Sequence, residues 1–463
     1  MPKTLASKQL NILHAEDDNH VFESCKDSVI AAFQKAMLPE PIIDHVTFCN
    51  EIFRKMLQFQ SEKKVYDILL LDLELMDKSE YNGVNAINEI KKLSPHTQIF
   101  VLSGNIYEQA YHDKLQEYKD NGLIVDFFET SNHEKWCTCL INTVTAKHVG
   151  ILHFSDMHIS KGDNSLQIIN DFTNNFHERA DLLIFSGDIA NRGGFEEFEK
   201  AKTLLTSVCE RLNIRKCIYV PGNHDIQRNK PAKAAFNNFL IFKKSMEDYV
   251  SEQELDEILT YPDVENYADY INTVTVYPEL RTIVCGLNSA ACIEDEKFGY
   301  SYGEITAEQL RQAEEKLQKV KEKYPNYLVI ETFHHNMFEP PYYFDYHNTG
   351  DTNKWIPPVK KQGLILKKSF ENDINLLLIG HAHVSSSYSV YSHDYGHGKP
   401  LHIISAGLFS EKGITPLEPE LTVNYLSYQI DLAGTISNMF CQPYRLPLTD
   451  GHWKKKDKYM LEV

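Results

Sequence analysis

Five short motifs carry side chains suited to holding divalent cations, and they follow one another in order along the chain. They are Asp156-Met157-His158, Gly187-Asp188, Gly222-Asn223-His224-Asp225, His334-His335-Asn336 and Gly380-His381-Ala382-His383. Carboxylate, amide oxygen and imidazole together suit borderline first-row ions such as Mn²⁺, Fe or Zn²⁺ better than Ca²⁺. Glycines beside the ligands let backbone and ion approach closely. A single D-x-H or G-H-x-H arises by chance, and a lone histidine is more often a satisfied structural residue than a ligand. Five such elements, each just after an apolar run, are a different matter.

A second constellation is purely acidic. Glu16, Asp17 and Asp18 follow the first apolar run, Asp72 ends the third, and Ser103 with Gly104 ends the fourth. Any one of these acids is explained by the polarity of loops. As a set at strand ends they repel one another unless a hard cation such as Mg²⁺ is shared.

The elements that must position these residues are strands. Over residues 11–146 the apolar runs 11–15, 41–48, 67–73, 98–103 and 123–128 alternate with amphipathic helical stretches such as 83–93 and 133–146. That alternation predicts a parallel sheet covered on both faces, with the acids at its carboxyl ends. A new strand at 149–156 follows almost without a linker. Further runs at 182–188, 216–225, 281–289, 327–335 and 375–383 each deliver one of the motifs or a polar loop, and strand-like segments at 387–392, 401–407, 424–431 and 435–440 suggest closing hairpins. The stretch 226–272 is acidic and helix-like, an insertion over one edge. Residues 338–357 form a Pro- and aromatic-rich loop in which Tyr342, Tyr343, Phe344 and Tyr346 could stack on a base or an aryl group, although a packed lid is the preferred reading. No repeat of solenoid period is present. The expected organisation is α/β, with domains at 1–148 and 149–450 and a charged tail at 451–463.

Composition narrows the function. With 47 Lys and Arg against 65 Asp and Glu, the formal charge is −18, which argues against a protein whose main task is gripping a phosphate backbone. No apolar run is long enough to span a bilayer, and the first apolar stretch is too short for a signal peptide, so no membrane association and a cytoplasmic location are expected. Nine cysteines without a C-x-x-C pair fit reduced thiols; Cys137 and Cys139 fall in a helical stretch where packing is the expected role.

The acidic set over residues ~9–147 resembles a two-component response regulator receiver domain. The resemblance implies a doubly wound, flavodoxin-like sheet, Mg²⁺ held by Glu16 and Asp17, phosphoryl acceptance by Asp72, and a switch hydroxyl at Ser103. It also implies a signalling protein as partner. One departure matters: the family's Lys after the fifth strand is replaced by Thr130, followed by Ser131. A receiver fold whose phosphate switch is altered or lost is the expectation.

The motif series across roughly 149–440 resembles the calcineurin-like metallophosphoesterases, through FSDMHIS, FSGDIANRGG, VPGNHD, FHHN and IGHAH, with GLNSA and GEITAEQL between them. The resemblance implies a four-layer α/β/β/α sandwich with two metals at the strand ends. Asp156, His158 and His383 would bind the first metal; Asn223, His334 and His381 the second; and Asp188 would bridge them. His334 is preferred to His335 because the family ligand is the first of the doublet. A hydroxide formed between the metals would attack in line, and His224 would contact the phosphate and assist the leaving oxygen. Asn191 and Arg192, just beyond Asp188, are candidate phosphate contacts, whereas His393 and His397 read as turn residues. The preferred activity is a phosphodiesterase acting on a nucleotide or similar small phosphodiester. A metal-dependent nuclease comes second and a phosphoprotein phosphatase third. A non-enzymatic regulatory scaffold is weaker still, because every metal position and His224 are filled.

Overall fold

The structure is a computed structural model. It describes residues 9–462 except 76–82, 161–164, 228–229, 231–234, 252–256, 261–271, 291–302, 339–357, 395–397, 410–419, 432–433, 448–451 and the single positions 63, 96, 105 and 122. The chain divides into two compact units, residues 1–147 with 431–433, and residues 148–430 with 434–463.

In the first unit, five strands, β1 (Asn11–Ala15), β2 (Ile42–Val46), β3 (Ile68–Leu71), β4 (Gln98–Leu102) and β5 (Asp126–Phe128), lie in the order β2-β1-β3-β4-β5, all parallel. Helices α1 (Asn19–Lys35), α2 (Cys49–Ser61), α3 (Gly83–Leu93), α4 (Gln109–Asp120) and α5 (His133–Thr145) connect or follow them. This is the doubly wound, flavodoxin-like order. The strand ILLL at 68–71 shows why: Ile68 and Leu70 pack with α1 and α5, while Leu69 and Leu71 pack with α2, α3 and α4. A strand buried on both faces has to be apolar at every position.

The second unit holds two seven-stranded sheets. One is built on β6 (Lys147–Phe154), β7 (Leu182–Phe185) and β8 (Cys217–Tyr219), continued by β16 (Glu420–Ile430), β17 (Ile436–Pro447), β18 (Lys454–Lys455) and β19 (Tyr459–Leu461). The other runs β14-β15-β13-β12-β11-β10-β9, comprising β9 (Glu257–Thr260), β10 (Thr273–Tyr277), β11 (Thr282–Gly286), β12 (Leu328–Thr332), β13 (Leu376–Ile379), β14 (Ser386–Val390) and β15 (Leu401–Ser405). Their inner faces share one core, with Ile151, Leu182 and Ile184 of the first sheet meeting Val284, Ile330, Leu376 and Leu378 of the second. Their outer faces are covered by α6 (Ser165–Asn175), α7 (Phe195–Leu212) and α8 (Asn237–Ser251) on one side and by α9 (Ala307–Lys323) and α10 (Gln362–Glu371) on the other. Alternation does this too: Leu376 and Leu378 face the inner core, whereas Leu377 and Ile379 face the helices. The unit is the α/β/β/α sandwich expected.

Two readings of the sequence change. The stretch 226–272, read as a helical insertion, contains α8 but also β9, which pairs antiparallel with β10 at a sheet edge. The residues 451–463, read as a charged tail, carry β18 and β19, both antiparallel to β17. Trp453 and Leu461 supply the reason, since both are buried between lysines that dominate the local composition. The imidazole Nε2 of His402 also meets the Glu462 carbonyl at 2.7 Å. The aromatic loop residues Tyr342, Tyr343, Phe344 and Tyr346, and His397, lie outside the described residues.

Candidate metal centre

The proposed ligands sit where strands end and the chain must turn sharply. Asp156 and His158 follow β6, Asp188 follows β7, and Asn223 and His224 follow β8; His334 follows β12, and His381 with His383 follows β13. Both sheets of the second unit therefore contribute through their carboxyl ends. Five of these residues, Asp156, His158, Asp188, His381 and His383, have φ between 44° and 69°. They make up five of the eleven non-glycine residues with positive φ among the described residues. Left-handed backbone costs an L-residue roughly 1–2 kcal/mol, so its concentration here marks a place where geometry has been favoured over local stability.

The side chains converge into two ligand groups. In one, Asp156, His158 and His383 bring ligand atoms within 4.8 Å of one another, and in the other Asp188, His334 and His381 do the same; an overlapping set of His158, Asp188 and His224 meets the same distance. Asp188 links them: its Oδ2 is 3.2 Å from His334 Nε2 and 3.8 Å from His158 Nε2. His334 Nε2 also lies 3.2 Å from Asn223 Oδ1 and 3.2 Å from His381 Nδ1. His158 Nε2 and His383 Nε2 face each other at 3.0 Å.

Electrostatics explain what such a cluster requires. Burial opposes ionisation of Asp156, yet His383 and His334 beside it hold its pKa down at about 2. Burial opposes ionisation of Asp188 as well, and His334, His224 and His158 hold it well below the usual carboxylate range. Burial would strip the proton from His334, but Asp188 and Asp156 raise it to about 9. His158 and His381, dominated by desolvation, are lowered to about 3 and present neutral imidazoles. Two ionised, buried carboxylates beside the neutral imidazoles of His158 and His381, with His334 holding a proton that a cation would displace, are a donor set that divalent cations satisfy. Two further observations fit: Asp156 Oδ1 is buried and accepts no hydrogen bond of good geometry, and two imidazole nitrogens at 3.0 Å need a proton or a cation between them.

The surroundings fix the donors. His334 Nδ1 donates to the Ser186 carbonyl at 2.8 Å, which aims Nε2 at Asp188. Asp156 Oδ2 accepts the His381 backbone N–H at 2.9 Å. A Cβ on Gly222 would collide with the Asp188 carboxylate, and one on Gly380 with the Ser155 hydroxyl and with Asp156 Oδ2. His224 is half-buried at the rim, its Nδ1 donating to the Asn191 carbonyl at 2.8 Å and its ring edge-on to His158. Its backbone N–H donates to Asp188 Oδ1 at 2.8 Å.

Of the softer candidates, Asn191 meets His224 through its backbone, and Arg192 is exposed, with its own N–H given to Glu197. His335 is in neither ligand group, but its ring centroid lies 4.4 Å from that of His381, and its Nδ1 is 2.8 Å from Ser289 Oγ. His393 lies in a bend beyond β14. Two residues that the sequence did not single out hold the ligand loops. Ser289 Oγ accepts the backbone N–H groups of His334 and His335, both at 3.2 Å. Asp225 accepts those of Ala190 at 2.7 Å and Gly222 at 2.9 Å. The signals were Asp225 inside G-N-H-D and Ser289 inside GLNSA; that Ser289, 45 positions from His334, would meet it was not readable.

In the first unit, Glu16, Asp17 and Asp72 bring carboxylate oxygens within 4.8 Å of one another. Asp18 is separate, capping α1 by accepting N–H groups from His20 and Val21. Burial raises Glu16 to about 7, and Asp72, Asp17 and Asp18 add to the rise against a backbone hydrogen bond from Asp18. Burial also raises Asp72, against hydrogen bonds from Ser103 and from the backbone of Leu73 and Glu74. Thr130 follows β5, and its carbonyl accepts the Trp136 indole N–H at 3.2 Å.

Solved structures similar to the chain include a response regulator receiver domain protein from Clostridium thermocellum. It is 15% identical, over 29% of this chain and 94% of that one, with a TM-score of 0.23. A CheY-like receiver domain protein from Methanospirillum hungatei is 15% identical over 30% and 94%, TM-score 0.23. A LuxR-family DNA-binding response regulator from Staphylococcus aureus is 12% identical over 29% and 98%, TM-score 0.23. No curated protein matches the chain. The family model described as calcineurin-like phosphoesterase matches residues 149–385, slightly more than half of the chain and the span holding both ligand groups. The chain belongs to the calcineurin-like phosphoesterase family and is a metal-dependent phosphoester hydrolase.

Proposed function

We propose that the protein is a phosphodiesterase that hydrolyses a nucleotide or similar small phosphodiester at this centre. The observation that carries the reading is the convergence of seven candidate ligands, Asp188 among them, from two sheets, with one half-buried imidazole, His224, at the rim. Asp156, His158 and His383 would hold one divalent cation and Asn223, His334 and His381 the other, with Asp188 shared; Mn, Fe or Zn suits the donors. Such cations supply Lewis acidity at a phosphoryl oxygen and lower the pKa of water toward neutrality.

The chain's own residues do the rest. His224 is held through Nδ1 by the Asn191 carbonyl, which leaves Nε2 to exchange a proton with the leaving oxygen. Asn191 and Arg192 follow Asp188 on the same loop and would meet substrate oxygens. The formal charge of −18 weighs against bulk nucleic acid as substrate. The receiver-like unit is a regulatory or interaction module for a signalling partner, its carboxylates offering a Mg²⁺ site, and no helix among the described residues is long and apolar enough to cross a membrane. A cytoplasmic site of action fits the eight described cysteines, all free thiols.

The test is turnover of bis-p-nitrophenyl phosphate by the purified chain with Mn²⁺. Cleavage of the diester in preference to p-nitrophenyl phosphate is expected; turnover of the monoester alone would remove the phosphodiesterase assignment.

A further inference from the structure

Asp225 stands next to the proposed proton donor yet does not belong to either ligand group. Its carboxylate is completely buried, a costly position for an acid without compensating hydrogen bonds. The compensation comes from two different loops. Oδ1 accepts the N–H of Ala190, two residues beyond Asp188, and Oδ2 accepts the N–H of Gly222, directly before Asn223. One planar group thus joins the turn after β7 to the turn after β8.

The two turns are pressed together around it. A Cβ on Gly222 would enter the Asp188 carboxylate, and one on Gly193 would lie 2.9 Å from the Asp225 carbonyl oxygen. His224 returns the connection, giving its backbone N–H to Asp188 Oδ1 and its ring Nδ1 to the Asn191 carbonyl. The turn after β7 also rests on the turn after β6, through the N–H of Asp156 to the Gly187 carbonyl and that of His158 to the Asp188 carbonyl, both at 3.0 Å. What sets Asp225 apart is that its side-chain hydrogen bonds go to backbone, and they join the loop of Asp188 to the loop of Asn223.

We propose that Asp225 is a positioning residue that holds Asp188 and Asn223 at the separation needed to share one cation. The proposal rests on the metal-centre reading above. Residues of this kind, which orient ligands without touching the ion, change metal affinity or activity by about 10–100-fold when altered.

Replacement by asparagine separates this role from simple support of the fold. An asparagine has the same shape and can accept from one N–H, but its amide NH₂ must face the other donor. In Asp225→Asn, titration calorimetry with MnCl₂ on the full chain should show the weaker of two Mn²⁺ sites losing affinity by about 10–100-fold. For bis-p-nitrophenyl phosphate, kcat should fall with KM little changed, and saturating Mn²⁺ should restore part of it. Glu331→Gln, the same chemical change at another fully buried acid of this unit, should leave Mn²⁺ binding as in the wild type. Unchanged Mn²⁺ binding in Asp225→Asn beside two-site binding in the wild type overturns the proposal alone. A wild-type chain that binds no Mn²⁺ overturns the metal-centre reading and the proposal with it. Should Asp225→Asn not fold, hydrogen exchange on the wild type decides: the Ala190 and Gly222 amides should be protected together, and rapid exchange at either one overturns the clamp.

Discussion

Two clusters of acids occupy equivalent places in this molecule, at the carboxyl ends of parallel strands; burial opposes ionisation in both, and their neighbours turn it to opposite results. In the second unit Asp156 and Asp188 are fully buried and yet held ionised, because imidazoles surround them. In the first unit Glu16 and Asp72 are raised, and the charged groups acting on Glu16 are themselves carboxylates. Placement at a strand end is therefore not what makes a metal centre. The mixture of donors is: histidines let buried carboxylates keep their charge, whereas an all-acid pocket depends on a hard cation to become fully ionised.

The comparison can be broken first at Asp188. Because it is the proposed bridge between the two cations, Asp188→Asn should bring the largest loss, with metal content falling and activity dropping to background. Elemental analysis beside the diesterase assay checks this, and a metal-replete, active variant would undo the bridging assignment. Next, His224→Ala should keep its metals and lose about 10²–10⁴-fold in kcat, the usual contribution of a general acid or base. Full activity in that variant would mean His224 moves no proton in the reaction.

The acidic pocket should behave differently. With Thr130 after β5 and Asp72 pushed toward its neutral form, acetyl phosphate with Mg²⁺ should leave Asp72 largely unmodified by mass spectrometry. A stoichiometric adduct there would show that the pocket switches without the missing lysine.

The smallest effect tests the rule on a third buried acid. Glu331 faces no imidazole in the interactions that shift it, and burial raises it from 4.5 to about 7 against a hydrogen bond from Ser369. Its folded pKa lies above its unfolded one, so the native state binds more protons between about pH 4.5 and 7. Stability should therefore fall as pH rises through that window and stay reduced above it. Glu331→Gln should flatten that slope and gain in relative stability above pH 7; an unchanged pH profile of thermal unfolding would contradict it.

Much of this was legible in the chain because apolar alternation and motif spacing are local. The run ILLL at 68–71 and LLLI at 376–379 read directly as strands buried on both faces. Other elements were hidden for a stated reason. The strand β10 borders a stretch whose acids and helical pattern dominated, and β18 and β19 rest on Trp453 and Leu461 among lysines. In the site, the motifs and their order at strand ends were readable. What sequence cannot carry is contact between distant loops: Ser289 under His334, the Ser186 carbonyl behind its Nδ1, and Asp225 between two turns. Nor does residue type announce that Asp156, His158 and Asp188 adopt left-handed backbone, a conformation a sequence reader assigns to glycine.

The central claim is that one cluster gathers two cations around a shared aspartate. Crystals grown with Mn²⁺ and measured at the manganese edge would test it most directly. The account predicts two anomalous peaks, one among Asp156, His158 and His383 and one among Asn223, His334 and His381, with Asp188 between them. A single peak, none, or a peak coordinated by His335 would contradict it.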